Sequence, residues 1–247
     1  MSGHSKWANI KRTKGKNDAA RGKIFTKLVK DISIAVKIGG ADPDSNSKLR
    51  DAIWAAKSNN LPSDNITRTI KKASGELGSA NYEEVIYEGY GPGGAAVIVY
   101  TLTDNKNRTA GDIRHTFDKY GGALGMANCV SYLFKRKGII VIEDTDKINE
   151  DDLMMDSLEA GAEDVTNEDG LYEIVTEPAD INTVKQYLEG KGYTFISSDV
   201  EMIPAAYMPL DEGKMESFKK LLNTFEESDD VQEVYHNVEL TEEENEE

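Results

Sequence analysis

The sequence predicts an α+β protein with a three-helix domain at its N-terminus and two ferredoxin-like α/β domains, one inserted into the other. Three observations lead to this prediction. The net charge changes sign along the chain, the spacing of apolar residues changes from helical to strand-like near residue 80, and the second part contains the element order β-α-β-β-α-β. At 247 residues and 38% hydrophobic, the chain can form more than one core.

The two ends of the chain carry opposite charge. Residues 1–80 contain 16 Lys and Arg against 7 Asp and Glu, a net charge of +9. Residues 81–247 carry −25, which gives the whole chain −16. Because like charges on one segment repel each other, this segregation favours a polyanionic partner that the basic end binds.

The N-terminal region begins with an arm and continues with three helices. Residues 2–16 include five basic and no acidic residues and few large apolar ones, so we expect an arm that is mobile when unbound. Residues 18–38 follow with one apolar helical stripe, and Gly39-Gly40 ends that helix. Asn46 or Ser47 caps a second helix, and Pro62 opens a third that ends at Gly75. The stripe of the first helix consists of Phe25, Leu28, Val29, Ile32 and Val36.

The acidic part reads as alternating strands and helices. The pattern predicts strands at 82–90, 95–103 and 128–134, with a helix at 108–120 before the last of them. A turn at 135–138 leads to a strand at 139–143, a helix ending at Gly161, strands near 165 and at 171–176, a helix at 181–188 and a strand at 193–200. After Pro204, a strand at 205–208, a helix at 211–226 and a strand at 231–240 complete a second domain begun by 95–134.

These elements give the predicted domain limits. The basic arm and helical domain span 1–80, a discontinuous α/β domain spans 81–137 plus 204–240, and the inserted ferredoxin-like domain spans 138–203. Residues 241–247 contain five acids and are expected to form a disordered tail.

The basic end is the candidate nucleic-acid site. Residues 1–37 carry ten basic and two acidic residues, with an aromatic side chain among the cations of the arm. Release of counterions from phosphates favours this composition, and an indole can stack on a base. Two alternatives stay open, a merely solvated helix face and a polybasic membrane anchor, but no apolar run approaches the roughly 20 residues of a membrane span. The candidate contacts are Lys6, Trp7, Lys11, Arg12, Lys14, Lys16, Arg21, Lys23, Lys27 and Lys30.

The sequence gives little support for a metal site, a phosphate-binding loop or a catalytic site. Cys129 is the only cysteine, so the chain has no disulfide framework, and we expect a reducing, cytoplasmic location without a signal peptide. The glycine-rich segment 89–94 lies between two strands and is typical of a hairpin turn rather than of a phosphate loop. Residues 104–108 lack the glycine and terminal Glu of a calcium loop, so an Asn N-cap is the better interpretation. We therefore expect no catalytic residues, no cofactor and no metal.

Several motifs together resemble one family. They are the segments at 3–11, 21–25, 39–43, 62–66, 87–94, 103–109 and 121–122, and they resemble the YebC/PmpR proteins, which are described as probable transcriptional regulators. The mitochondrial relative of that family is the translational activator of cytochrome c oxidase subunit one. The resemblance implies a cytoplasmic protein of three domains that binds nucleic acid without enzymatic chemistry. Where the family has a glycine, this chain has Asn128, and because Asn tolerates positive φ we expect the turn to persist.

Two functions remain open at this stage. The first is a DNA-binding transcriptional regulator whose arm and first helix hold phosphates. The second is a ribosome-associated translation factor that contacts ribosomal RNA and basic ribosomal proteins and eases the synthesis of difficult sequences such as proline runs. We expect a monomer with no membrane partner, and we rank an enzyme such as a nuclease far below both functions.

Overall fold

A computed structural model describes residues 18–75, 82–144, 148–168 and 170–240 of the chain. Within these ranges it contains seven α-helices and two four-stranded antiparallel sheets, which confirms the predicted α+β class and the helical N-terminal region. The chain forms two compact units. One contains Ser131–Tyr207, and the other contains the described residues that precede it together with Met208–Val238. The predicted arm and the predicted acidic tail both lie outside the described residues.

The helical region consists of α1 (Asp18–Gly39), α2 (Ser47–Ser58) and α3 (Ser63–Ala73). Asn46 decides how the first two helices meet. Its Oδ1 accepts the Leu49 N–H at 3.1 Å, and its amide donates to the carbonyls of Ala35 at 2.7 Å and Gly40 at 2.8 Å. A Cβ on Gly39 would lie 2.6 Å from the Asn46 amide carbon, so a side chain there would displace the cap. Buried side chains from all three helices and the connecting loop form one core, including Ile32, Val36, Leu49, Leu61 and Ile66.

The first sheet has the order β3-β1-β2-β8, formed by β1 (Glu83–Tyr90), β2 (Ala96–Thr103), β3 (Ala123–Leu124) and β8 (Val231–His236). Helices α4 (Lys106–Lys119) and α7 (Glu212–Glu226) contribute buried aromatic rings, and the centroids of Phe117 and Phe225 lie 5.1 Å apart. As predicted, the glycine-rich segment between β1 and β2 is a hairpin connection, with positive φ at Gly93 and Gly94.

Two predicted strands of this part are wrong. Of the predicted strand 128–134, residues 128–133 form no strand and only Phe134 belongs to one, because the buried carboxylate of Glu88 accepts the N–H groups of Asn128 at 3.0 Å and Val130 at 2.9 Å. Asn128 has φ +63°, as expected for a residue that replaces glycine in a turn. Residues 205–208 form only a single bridge, from Met208 to Val238, and Pro209 directly after them has no N–H with which to extend a ladder.

The second sheet has the order β5-β6-β4-β7 and the predicted element order β-α-β-β-α-β. Its strands are β4 (Phe134–Glu143), β5 (Asp164–Glu168), β6 (Leu171–Thr176) and β7 (Ser197–Pro204), and its helices are α5 (Glu150–Ala160) and α6 (Ile181–Lys191). Side chains of both helices pack against the inner strand residues Ile140, Ile142 and Ile174.

The predicted turn at 135–138 is also wrong, because these residues lie inside β4. The strand pairs with β7 from its first residue, where Phe134 faces Pro204, and Gly138 is paired on both sides, with Thr176 and Val200. A run of three cations before a glycine is typical of a turn, but the ladder with β7 holds the three cations extended, and Gly138 begins the ladder with β6. β7 correspondingly begins four residues later than predicted, at Ser197.

Candidate nucleic-acid interface

The predicted contact residues fall into three groups. Trp7 and the five cations of the arm lie outside the described residues, so their role stays a prediction. Arg21 and Lys23 lie in the first part of α1. Lys27 is half-buried, whereas Lys30 is buried, with 5% of its surface exposed.

The prediction that Lys30 contacts nucleic acid is wrong, because the side chain of Lys30 is buried. Its ammonium donates to Asp230 Oδ1 at 2.7 Å, to the Asp229 carbonyl at 2.8 Å and to the Leu102 carbonyl at 3.1 Å. These three acceptors use all three ammonium protons, so none is left for a phosphate. Lys30 lies beside the apolar stripe of α1, and a lysine in that position is buried when the fold supplies a carboxylate for it.

Asp230, just before β8, is the centre of this arrangement. Its second oxygen, Oδ2, accepts from Arg108 Nη2 at 2.7 Å, from Thr109 Oγ1 at 2.8 Å and from Thr103 Oγ1 at 3.3 Å. Burial would raise the pKa of Asp230, but hydrogen bonds from Arg108, Lys30 and Thr109 outweigh it and lower the pKa to about 2. We call Lys30, Thr103, Arg108, Thr109 and Asp230 the Asp230 cluster. It joins α1 to β2, to α4 and to the start of β8.

The Asp230 cluster gives a structural role to the segment 103–109. Asn105 caps α4, since its Oδ1 accepts the Arg108 N–H at 3.1 Å, which confirms the N-cap interpretation. Asp104 accepts from Arg108 Nη2 at 2.9 Å and helps to hold the guanidinium in place. Within the described ranges, no group of three or more His, Cys, Asp and Glu side chains is arranged to hold a metal ion.

A different basic surface lies on α3. Arg68, Lys71 and Lys72 are exposed, and their spacing of i, i+3 and i+4 places them on one helix face, away from the buried Ile66 and Thr69. We call these three cations the α3 face. None of the three forms an ion pair with another residue that the structure describes. The α3 face is not among the predicted contacts, because the concentration of positive charge in the arm and α1 points to those segments, although the i, i+3, i+4 spacing of the three cations is visible in the sequence.

Other cations of the helical region are partly used by the fold. Arg50 on α2 donates to the carbonyls of Pro43 at 3.0 Å and Asp44 at 3.4 Å, and so supports the loop between α1 and α2. Lys71 and Lys72 in the last turn of α3 also stabilise its carboxyl end electrostatically. This interaction leaves their ammonium groups able to donate hydrogen bonds to a phosphate. The α3 face places three exposed cations on one face of a helix, an arrangement that suits contact with phosphates.

The charge separation seen in the sequence is largest between the helical region and the unit 131–207. Residues 18–75 hold 11 basic and 6 acidic residues, whereas the unit 131–207 holds 6 basic and 18 acidic residues. Among the described residues, no helix is both long and apolar enough to cross a membrane.

Comparison with known proteins gives consistent matches over nearly the whole chain. Residues 5–76 match the family described as TACO1/YebC protein N-terminal domain, and residues 82–238 match TACO1/YebC second and third domain. A probable transcriptional regulatory protein of Ruminiclostridium cellulolyticum is 60% identical over 248 residues, covering all of both chains. One of Acetivibrio thermocellus is 57% identical and covers 96% of this chain and 98% of its own. The crystal structure of a conserved hypothetical protein from Aquifex aeolicus is 45% identical, with a TM-score of 0.83 over 92% of this chain and 93% of its own.

Proposed function

The chain belongs to the TACO1/YebC family, and we propose that it is a non-enzymatic, nucleic-acid-binding regulator of transcription in the cytoplasm. The observation that carries the proposal is the α3 face, three exposed cations without ion pairs among the described residues, in the same N-terminal region as an arm with five cations and no acid. Full-length relatives named probable transcriptional regulatory proteins support the regulatory part of the proposal.

The proposed contacts are to phosphates. Arg68, Lys71 and Lys72 replace counterions along the nucleic-acid backbone, and the cations of the arm extend the contact beyond the helices. Such contacts position a protein on DNA but carry no sequence information, so base recognition falls to the arm, whose Trp7 is the candidate for stacking on a base. The Asp230 cluster fixes the orientation of α1 relative to the first sheet, and its lysine, Lys30, is not available to phosphates.

The salt dependence of binding tests the α3 face directly. The affinity for a fluorescein-labelled duplex DNA is measured by anisotropy at several salt concentrations for the wild type and for a triple variant, Arg68→Gln, Lys71→Gln and Lys72→Gln. Each lost phosphate contact lowers the magnitude of the slope of log K against log [salt] by about 0.9, so the triple variant should lose roughly 2–3 units.

A matched control removes the same charge elsewhere. Lys106, Lys214 and Lys220 are exposed cations that already pair with carboxylates, at 2.6, 2.7 and 2.5 Å. Changing these three to Gln alters the net charge equally, and the slope should change by less than about 1 unit. If the α3 triple variant keeps the wild-type slope, or loses no more than this control, the α3 face does not contact phosphates.

A second function is favoured by the acidity of the unit 131–207. A unit with 18 acidic and 6 basic residues repels bare DNA but suits basic ribosomal proteins, while the N-terminal cations contact ribosomal RNA. In that case the protein is a ribosome-associated translation factor that eases the synthesis of difficult sequences.

Sucrose-gradient fractionation of a cell lysate separates the two proposals. Co-sedimentation with ribosomes supports the translation factor, and co-sedimentation with the nucleoid supports the transcriptional regulator.

A further inference from the structure

Helix α5 in the unit Ser131–Tyr207 exposes three large apolar side chains at adjacent positions. Met154 is 39% exposed, Met155 63% and Leu158 52%, while Leu153 and Ser157 on the opposite side of the helix are fully buried. Residues 154 and 158 are separated by four positions and residues 155 and 158 by three, so the three side chains form one patch. We call it the α5 patch. Single exposed apolar residues are ordinary, but a contiguous group on one helix marks an interaction surface.

The surroundings of the α5 patch are acidic. α5 contains five acidic residues and no basic residue in its 11 positions. Asp156 is already engaged, since it accepts from Lys191 at 2.8 Å and from the Tyr193 hydroxyl at 3.1 Å. Glu150, Asp151 and Asp152, one turn before the patch, form no ion pair with any residue that the structure describes. These three carboxylates stabilise the amino end of α5, and they also make the electrostatic potential beside the patch negative.

We propose that the α5 patch is a docking surface for a partner protein that presents a basic, amphipathic helix. Met and Leu side chains adapt to many apolar surfaces, and the partner's apolar stripe would cover Met154, Met155 and Leu158. Its lysines or arginines would face Glu150 and Asp151. The proposal goes beyond nucleic-acid binding, because it concerns a different unit of the chain and a partner of opposite charge.

Charge also argues against a second copy of this chain as the occupant. Two α5 helices face to face would bring two groups of acidic residues together around one apolar contact, and like charges across an interface oppose association. A basic partner removes this repulsion and gains attraction over the same area. The α5 patch therefore selects its partner by charge and retains it by apolar contact.

The test uses the full-length protein and synthetic peptides. The probe is a fluorescein-labelled peptide of about 14 residues, made of Leu and Lys with the leucines on one helical face, and its control is a scrambled peptide of the same composition. Anisotropy is measured near physiological salt for the wild type, for the double variant Met155→Gln and Leu158→Gln, and for Glu150→Gln with Asp151→Asn. Ile86→Gln on β1 is the matched control, since Ile86 is 48% exposed and lies in the other unit.

The wild type should bind the amphipathic peptide at least about tenfold more tightly than the scrambled one, a difference of about 1.4 kcal/mol. Met155→Gln with Leu158→Gln should remove that preference. Glu150→Gln with Asp151→Asn should weaken binding of both peptides, and Ile86→Gln should change neither. Because Met155, Leu158 and Ile86 are about half exposed or more, their substitution should leave the melting temperature nearly unchanged, whereas the loss of two carboxylates from the amino end of α5 should lower it slightly.

Three results would overturn the proposal. One is equal affinity for the two peptides, which would mean a nonspecific attraction between opposite charges. Another is a loss with Met155→Gln and Leu158→Gln no larger than with Ile86→Gln. The third is a wild-type dimer in sedimentation equilibrium that the same double variant dissociates, which would make a second copy the occupant. The double variant should keep the salt slope for duplex DNA, so failure here is distinct from failure of the nucleic-acid proposal.

Discussion

Replacing Asp230 by Asn should lower the free energy of unfolding of the unit that contains α1 and the first sheet by about 3 kcal/mol, because it leaves the ammonium of Lys30 buried without a counter-charge. Asn keeps the size of the side chain and can still accept hydrogen bonds from Thr103 and Thr109. Lys30 keeps its two backbone acceptors, the carbonyls of Leu102 and Asp229, but loses its carboxylate at 2.7 Å. The side chains of Lys30 and Asp230 are only 6% and 12% exposed, so water cannot take over the role of the missing charge.

The pKa of Asp230 gives an independent value for the free energy that its charged carboxylate contributes to folding. A pKa of about 2 in the folded protein, against an ordinary value of 3.8, is a depression of nearly two units. Each unit corresponds to about 1.4 kcal/mol, so the charged carboxylate contributes roughly 2–3 kcal/mol at neutral pH. Because the folded pKa lies below the unfolded one, this contribution is complete above about pH 4 and is lost as the pH falls toward 2. The difference in stability between the wild type and Asp230→Asn should therefore be constant from pH 7 to 5 and shrink below pH 4.

Urea unfolding followed by tryptophan fluorescence measures this effect. The chain has two tryptophans, so a Trp7→Phe background leaves Trp54 on α2 as the reporter of the helical region. The control is Glu216→Gln, which breaks an exposed pair whose carboxylate side chain is 70% exposed, and it should cost less than about 0.5 kcal/mol. Adding Lys30→Met to Asp230→Asn should recover at least about 1 kcal/mol, because the buried charge disappears with its partner.

A loss for Asp230→Asn no larger than that of Glu216→Gln would refute the view that the Asp230 cluster holds α1 in place. Strict additivity of Lys30→Met and Asp230→Asn would refute it in a second way, since two residues in direct contact should show a coupling energy. A stability difference that stays the same at pH 3 as at pH 7 would instead show that the pKa of Asp230 is not depressed in the folded protein.

Three further predictions concern the arm and the inserted unit. Changing Lys11, Arg12, Lys14 and Lys16 to Glu should weaken binding to duplex DNA with little change in melting temperature. The magnitude of the slope of log K against log [salt] should fall by about one unit per lost contact, and an unchanged slope would show that the arm does not contact phosphates. Trp7→Ala should cost about 1–3 kcal/mol of binding energy and leave the melting temperature nearly unchanged, whereas a large fall in melting temperature at constant affinity would contradict a stacking role. Replacing Ser131–Tyr207 by a short Gly/Ser linker should leave a remainder that unfolds cooperatively by circular dichroism, because Phe134 and Pro204 are strand partners that bring the two ends of the segment together, and a molten product would argue against the nesting.

Local patterns were enough for much of the fold. The apolar stripe of α1 and the glycines after it predicted that helix, because both depend on residues within a few turns of each other. The β-α-β-β-α-β order of the unit 131–207 was legible for the same reason, since the periodicity of each element and the turn residues between elements are local. Asn105 as the cap of α4 was predicted from the two facts that a strand precedes it and a helix follows.

Two of the errors share a different physical origin, in which a distant part of the chain decides the backbone conformation. The predicted strand at 128–134 does not form as such, because the carboxylate of Glu88, forty positions before Asn128, accepts the backbone N–H groups that a ladder would have used. Residues 135–138 resemble a turn, but partners on β6 and β7 hold them extended. Neither contact leaves a signal in the periodicity of the sequence, because both are made by the tertiary fold.

For the candidate site, the sequence predicts how many charges each region carries but not which of the charged side chains are exposed. The net charge of residues 1–80 indicates which end of the chain meets a polyanion, but it does not distinguish a lysine that the fold consumes from one that it exposes. Lys30 and Arg68 look alike in the sequence, yet Lys30 has three intramolecular acceptors and Arg68 is exposed without an ion pair among the described residues. Substitution of either should weaken binding, by unfolding in the first case and by loss of a contact in the second. Only binding and stability measured on the same variant separate the two, so Lys30→Gln should lower the melting temperature and Arg68→Gln should not.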